Sequence, residues 1–466
     1  MSSEKTDIIV LGATGFTGHL ITRYLASHPQ FTQGLFSFSI AARSQSKIHT
    51  LVQELSLPPH VNTIQIDVTD ASAIEALVQT TKVVINTVGP YWRWGTLVVR
   101  ACARHGIHYV DLTGETVWIK HIIDAFDYLA TKSGAIIVPS CGMDSVPSDI
   151  SAFLSNKTLK AYGQYDVGTS TTAYHYHGGI SGGTLSTLMT MLEEVPESKM
   201  TDSKQDFSLS PVEGGLLPAF RFLYNLAIPG DKPILGGFFV MQPTNRKLVQ
   251  RTFGLLELQA IESQCTHFAP GPSSELAKNA LREHYGRTFR YDEFIVMPSR
   301  LSAIFFTTAF AFGIGMLSLV APVRWLFKKW MTQPGDGPSE EEQKKGSLEG
   351  INHTISTSNP PVHVKTTLKG DGDPGYLLTS IMISESALSL ILPPTSVTSS
   401  PSYTPSPDPK ALPAGLSTLA HQGGILTPMT AFGDVLIQRL RETGKFEFES
   451  HIVEEESGQV EGRKDV

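Results

Sequence analysis

Within residues 8–18, IIVLGATGFTG, an apolar run leads straight into Gly12, Gly15 and Gly18. Residues of these types in this order suit the binding of a pyrophosphate. A chain turning sharply after a buried strand needs glycine, and the helix that follows must offer bare backbone N–H groups to the phosphates. Ala13, Thr14, Phe16 and Thr17 fill the rest of the turn and are read with the glycines as coenzyme contacts. A site that takes NAD places an acid about twenty residues further on for the ribose 2′-hydroxyl. This chain has no Asp or Glu between Asp7 and Glu54, and offers Arg43, Ser44 and Lys47 instead. Two cations and a hydroxyl suit a 2′-phosphate, so NADP is the expected coenzyme, with NAD as the alternative. Arg43 and Lys47 also fit the plainer role of solvating the start of a helix.

Hydride chemistry needs a dry, oriented site and an acid near the charge that develops on the acceptor. Val88, Gly89 and Pro90 carry little bulk and could approach the coenzyme closely; Asp67 and Val68 end another strand on the same edge. Tyr91, Asp144, Ser145 and His175 are the candidate proton donors. Asp144-Ser145 before Val146-Pro147 reads equally well as a helix start. His175 and His177 alternate with Tyr174 and Tyr176, so one pair faces the core and the other the cleft. Asp111 and Glu115 are expected to orient a loop or cap the following helix. Tyr128 and Lys132 form a YxxxK spacing, discounted because it falls on the helix before the sixth strand. No metal site is expected.

The elements that position these residues follow from periodicity. Up to residue 155, short apolar strands alternate with amphipathic helices, which forces a parallel sheet with ligands beyond the carboxyl ends of its strands. Later come a strand over 166–176, a helix through Leu192, strands near 248–257 and a hairpin over 351–368. The expected fold is α/β: an N-terminal NAD(P)-binding Rossmann-like domain, residues 1–155 completed by 423–445, with an inserted α+β substrate domain over 156–394. Residues 334–346, the Ser/Pro-rich insert 395–415 and the tail 449–466 are expected to be mobile.

Between Arg300 and Arg324 no charged residue occurs, and RWLFKKW follows. That length would cross a hydrocarbon layer of ~30 Å. Trp325 and Trp330 beside Lys328 and Lys329 are the anchors of a membrane interface. Interspersed Ser, Thr and Gly favour a hairpin or embedded contact over a span, so 301–330 is expected at a lipid surface, with a buried core helix as the alternative. The expected location is the cytoplasmic face of a membrane or lipid droplet, and otherwise the cytoplasm.

At 466 residues with a net charge of −7, the chain has no basic field for nucleic acid. Its three cysteines stand singly, without a disulfide framework, which suits a reducing compartment. The polar start MSSEKTD gives no sign of a targeting segment.

GATGFTG, VINTVGPYWRWG, CARHGIHYVDLTGE, CGMDSVPSD, SGGT, DPGY and GGILTPMTAFGD together resemble the saccharopine dehydrogenase-like oxidoreductases. That family includes mycobacterial trans-acting enoyl reductases and a lipid-droplet-associated animal protein. The resemblance implies NAD(P)-linked chemistry, a substrate domain inserted before the C-terminal part, and a last helical segment, Thr427 to Arg441, that packs back on the first domain. The resulting expectation is an NADP-dependent oxidoreductase reducing an enoyl or carbonyl group of a hydrophobic or acyl substrate. The alternatives are a non-catalytic NADP-binding scaffold or redox sensor at a lipid surface, and an amino-acid oxidoreductase of saccharopine dehydrogenase type. The last should show arginines clustered for several carboxylates, whereas Arg246, Lys247 and Arg251 are the only close cations of the second domain.

Overall fold

The computed structural model describes residues 5–143, 145–178, 182–216, 221–265, 280–330, 337–400, 402–404, 406, 408 and 411–454. The apolar runs of the first third become β1 (Thr6–Leu11), β2 (Phe38–Ala42), β3 (Asn62–Gln65), β4 (Thr81–Asn86), β5 (His108–Asp111) and β6 (Ile136–Val138). All pair in parallel in the order β6-β5-β4-β1-β2-β3, and β13 (Gly424–Ile425) extends the sheet beside β6. The chain steps outward from β1 to β3, then returns to the other side of β1 as β4. At that reversal the loops after β1 and β4 leave a crevice.

The helix Val146–Gly163 leads into a second sheet centred on β7 (Val167–His177). Parallel β10 (Arg290–Val296) lies on one side of β7 and antiparallel β11 (Ser347–Ser356) on the other. The sheet continues through β9 (Ile234–Gly237) to β8 (Tyr224–Leu226) beyond β10, and through β12 (His363–Asp371) to β14 (Phe446–Val453) beyond β11.

Several sequence expectations are corrected. Residues 248–257, read as strand, lie in the helix Gln242–Cys265. Pro243 presets its first turn, and buried Val249, Phe253, Leu256 and Ala260 recur at helical spacing. The boundary near 155 falls inside the helix Val146–Gly163. Residues 449–453 belong to β14 and pair with β12, so the expected tail begins inside a sheet; 455–466 lie outside the described residues. Of the stretch 334–346, residues 334–336 lie outside the described residues, and Glu340–Lys345 forms a helix because Ser339 and Glu342 make a reciprocal capping box. In the Ser/Pro-rich insert, Thr395–Thr398 forms a single helical turn, and buried Thr398 accepts a 2.8 Å bond from Gln30.

The helix Thr379–Ser389 also departs from the expected division, since it packs on the first sheet between the helices Phe16–Ser27 and Asp434–Glu442. All eleven of its residues are buried although it is rich in serine. Ser384, Ser386 and Ser389 donate to the carbonyls one turn back at 2.7, 2.8 and 2.7 Å, which satisfies each hydroxyl's hydrogen within the helix. Glu385 is held by Arg439 Nε at 2.6 Å, by His28 Nε2 at 3.1 Å and by the Tyr24 hydroxyl. Burial pushes its carboxyl up, but the Arg439 guanidinium and the bonds from His28 and Tyr24 outweigh that and hold it at about 2.

Arg439→Ala leaves a carboxylate buried without its cation and should cost about 3–5 kcal/mol in chemical denaturation. Because the Glu385 carboxyl lies below its ordinary 4.5, its contribution is complete above that value and is lost as pH falls towards about 2. A neutral Glu385→Gln variant should therefore show less acid dependence in this window.

Candidate active site

The crevice is built from backbone. Gly12 has φ +88°, and its N–H reaches the Ala41 carbonyl of β2 at 2.8 Å. A Cβ at Gly12 would lie 2.6 Å from Thr87 Oγ1 and 2.9 Å from Val88 Cγ2; at Gly18 it would lie 2.2 Å from the Gly12 carbonyl oxygen. Side chains are therefore excluded at both positions. The structure thus places Gly12 directly against Thr87 and Val88, and the Thr87 N–H donates to Leu11 O at 2.9 Å. Gly15, the N-cap of the helix Phe16–Ser27, has no side chain to cap it, so among the described residues the first-turn N–H groups stay available to an anion. Ala13 is buried beneath the turn, Thr14 and Thr17 are half-buried, and the Phe16 ring meets Tyr376 edge-on at 5.2 Å. This cradle fits a dinucleotide, and Gly12 to Gly18 would hold its pyrophosphate. Bound here, the reduced coenzyme NADPH would supply a hydride from its nicotinamide.

Along the rim, Arg43 and Lys47 are exposed beyond β2. Ser44 caps the helix Gln45–Glu54 by accepting the Lys47 N–H at 3.4 Å. Asp67 is exposed at the end of β3 beside half-buried Val68. Bonds from the Thr69 N–H at 2.9 Å and hydroxyl at 2.8 Å hold its carboxyl below the usual range, and the Arg43 charge adds to this.

The loop after β4 is braced from behind. Asn86 Oδ1 accepts the Val88 N–H at 3.0 Å, and Asn86 Nδ2 donates to the Tyr109 hydroxyl at 3.1 Å. That hydroxyl donates to Asp111 Oδ2 at 2.9 Å, while Asp111 Oδ1 accepts the N–H groups of Thr113 and Ser140, each at 2.9 Å. Glu115 accepts the Tyr91 and Trp92 N–H groups, one on each oxygen, both at 2.7 Å. It therefore caps the preceding helix Tyr91–His105, not the one that follows it. Burial pushes both Asp111 and Glu115 up to about 7 against these bonds. Gly89 is exposed on the free side of the loop and Pro90 is buried.

Tyr91, expected as a proton donor, takes part in this bracing. Its phenol is buried, donates to Asn86 O at 2.9 Å and accepts the Leu112 N–H at 3.2 Å. Ser145 is buried at the N-cap position of the helix Val146–Gly163, although its side chain makes no capping bond there. Asp144 lies outside the described residues. His175 is exposed on the face of β7 opposite buried Tyr174, so the two tyrosine-bearing positions face inward and the histidines outward. Tyr128 stands on the outer surface with Lys132 over its ring. Among the described residues no His/Cys/Asp/Glu group could hold a metal.

A cluster missed in sequence lies where the second sheet meets the CGMDSVPSD helix. Glu293 Oε2 accepts Ser148 Oγ at 2.7 Å and the Tyr291 hydroxyl at 2.8 Å, and Oε1 accepts Asn245 Nδ2 at 2.7 Å. Tyr174 OH lies 2.9 Å from Ser148 Oγ. Burial pushes Glu293 up to about 7. Tyr291 stands two residues away on the same strand, but Ser148 and Asn245 come from separate helices, and no local spacing announces them.

Removing both rim cations, in Arg43→Ala with Lys47→Ala, should weaken NADPH binding about tenfold or more in calorimetry while leaving NADH nearly unaffected. Glu115→Gln replaces one helix-capping acceptor by a donor and should cost about 1–2 kcal/mol of stability. The folded Glu115 holds its proton up to about 7, against an ordinary 4.5, so its contribution falls as pH rises between these values and is constant above them. Denaturation of the variant should accordingly show a flatter pH slope across that window.

The model of the saccharopine dehydrogenase NADP-binding domain matches residues 8–138, which span β1 to β6. A Mycobacterium tuberculosis protein bearing the name of a trans-acting enoyl reductase is 30% identical over 463 residues, 95% of this chain and 96% of that one. The trans-acting enoyl reductase of Mycobacterium bovis is 29% identical over 469 residues, covering 95% and 97% of the two chains. Saccharopine dehydrogenase (L-Glu forming) from Saccharomyces cerevisiae is similar over 96% of this chain and 100% of that chain, at 12% identity and a TM-score of 0.45. With a glycine cradle, a braced β4 loop and relatives aligned along nearly its whole length, the chain belongs to the saccharopine dehydrogenase-like oxidoreductases.

Proposed function

We propose that this protein uses NADPH to reduce an enoyl or carbonyl group on an acyl substrate, and that it works at a lipid surface. The observation that carries the reading is the helix Arg300–Leu319, long and apolar enough to cross a membrane yet with only 11% of its apolar window buried. Leu301, Phe305, Phe312 and Leu319 are exposed on it, and Trp325, Leu326 and Trp330 are exposed on the adjoining helix Ala321–Trp330. A core helix would have buried this area. Exposed apolar area this extensive marks a contact surface, and flanking Trp with Lys suits an interface with anionic lipid. The names of the mycobacterial relatives support an enoyl group as the acceptor.

The cations of the second domain argue against a substrate with several carboxylates. Arg246 is paired with Asp206 at 2.6 Å, and Arg251 donates to the carbonyls of Leu209 and Ile425. Lys247 donates to the Pro243 carbonyl at 3.2 Å. Burial pushes this lysine down to about 8, with Arg246 adding to the effect.

The test is NADPH consumption by the full chain with long-chain trans-2-enoyl thioesters presented in vesicles. NADPH binding without consumption across enoyl and carbonyl acyl compounds would leave the redox-sensor reading in its place. Flotation of the protein with vesicles is expected, and replacing Phe305, Phe312, Trp325 and Trp330 by serine should abolish it; unchanged flotation would remove the lipid surface from the proposal.

A further inference from the structure

The helix Gly182–Glu193 links the exposed apolar helices to the coenzyme crevice. At one level Thr187 stands beside the β4 loop, since a Cβ at Gly89 would meet Thr187 Oγ1 at 4.0 Å. The last residue, Glu193, meets Lys328 Nζ at 2.5 Å and Arg324 Nε at 3.8 Å on the helix Ala321–Trp330. Glu194, which follows, accepts Arg93 Nε at 2.7 Å, and Arg93 lies in the first turn of the helix that Glu115 caps. From Thr187 to Glu193 the helix rises only about 9 Å. A second contact comes from beyond the apolar helices: Glu340 pairs with Arg23 of the glycine-turn helix at 2.5 Å, and Gly337 lies against the Phe16 ring.

We propose that Glu193 and Glu194 are positioning residues that tie the lipid-facing helices to the coenzyme loop, so that lipid docking and coenzyme binding strengthen each other. The proposal rests on the reading of residues 300–330 as lipid-facing. An exposed ion pair alone is weak. Two consecutive carboxylates at the end of one helix differ, because that rigid helix cannot follow Lys328 without also moving Arg93. Apolar helices embedded in lipid fix Arg324 and Lys328, and hence the Arg93 end of the β4 loop. The coenzyme then has less to order when it binds. Linkage makes the effect reciprocal by the same factor.

The experiment titrates NADPH into the full chain by fluorescence, with and without vesicles of phosphatidylcholine and phosphatidylserine, and measures flotation with and without NADPH. Vesicles should tighten NADPH binding about fivefold, and NADPH should raise vesicle affinity by the same factor. The double variant Glu193→Lys with Glu194→Lys should bring both factors close to one at an unchanged thermal midpoint. Exchanging one pair, Arg93→Glu with Glu194→Arg, should retain them. Salt at about 1 M should reduce the coupling, since the pairs are exposed. A protein that floats but binds NADPH equally with and without vesicles overturns the linkage and leaves the lipid-surface reading standing. A double variant that keeps the linkage overturns the assignment to Glu193 and Glu194, and a chain that does not float overturns both proposals.

Discussion

The buried Glu385–Arg439 pair is the point on which the rest of the architecture turns. The chain builds one sheet, leaves it for a second, and must come back to cover the first. Glu385, Arg439 and His28 come from three regions that meet only if that return is complete. Charges this deep are tolerable only when paired and fully bonded, so any packing that separates these segments is strongly penalised. Asp149 does similar work between the domains, accepting the Thr252 hydroxyl at 2.5 Å and the Met429 N–H at 2.9 Å. Burial pushes it up to about 7.

Fixed in this way, the first sheet can leave one edge open. At that edge the chain keeps its side chains behind the backbone: Asn86, Tyr109, Asp111 and Glu115 occupy the inner side of the β4 and β5 loops, while Gly12 and Gly89 face the crevice. Buried carboxylates suit the inner side because each can accept several N–H groups, which sets loop geometry more firmly than packing alone. Tyr91 illustrates the division. Its position in sequence suggests chemistry, but its phenol bonds two backbone groups and contributes stiffness.

The second sheet supplies a different surface. Its inner face packs on the helices that follow β6 and β9, while the helices after β10 project apolar side chains outward, beyond the reach of either core. An exposed phenylalanine or tryptophan has no folding value in water. In the lipid-surface reading proposed above, their concentration over 301–330 serves recognition, and the carboxylates at 193 and 194 orient that surface against the coenzyme domain.

Local chemistry settled much of this in advance. The glycine turn, the strand-helix alternation up to β6, the β11–β12 hairpin and the apolar stretch from 301 are all legible in sequence, because each depends on neighbours in the chain or on a repeat of two or about four residues. Only the tertiary structure decided the roles of Glu115, Glu293, Glu385 and His175. A buried carboxylate takes its function from what faces it, and apart from Tyr291 beside Glu293 those partners stand tens to hundreds of residues away. The helix over 242–265 shows the same limit, since its β-branched and apolar residues suit a strand locally and become helical where one face meets a core.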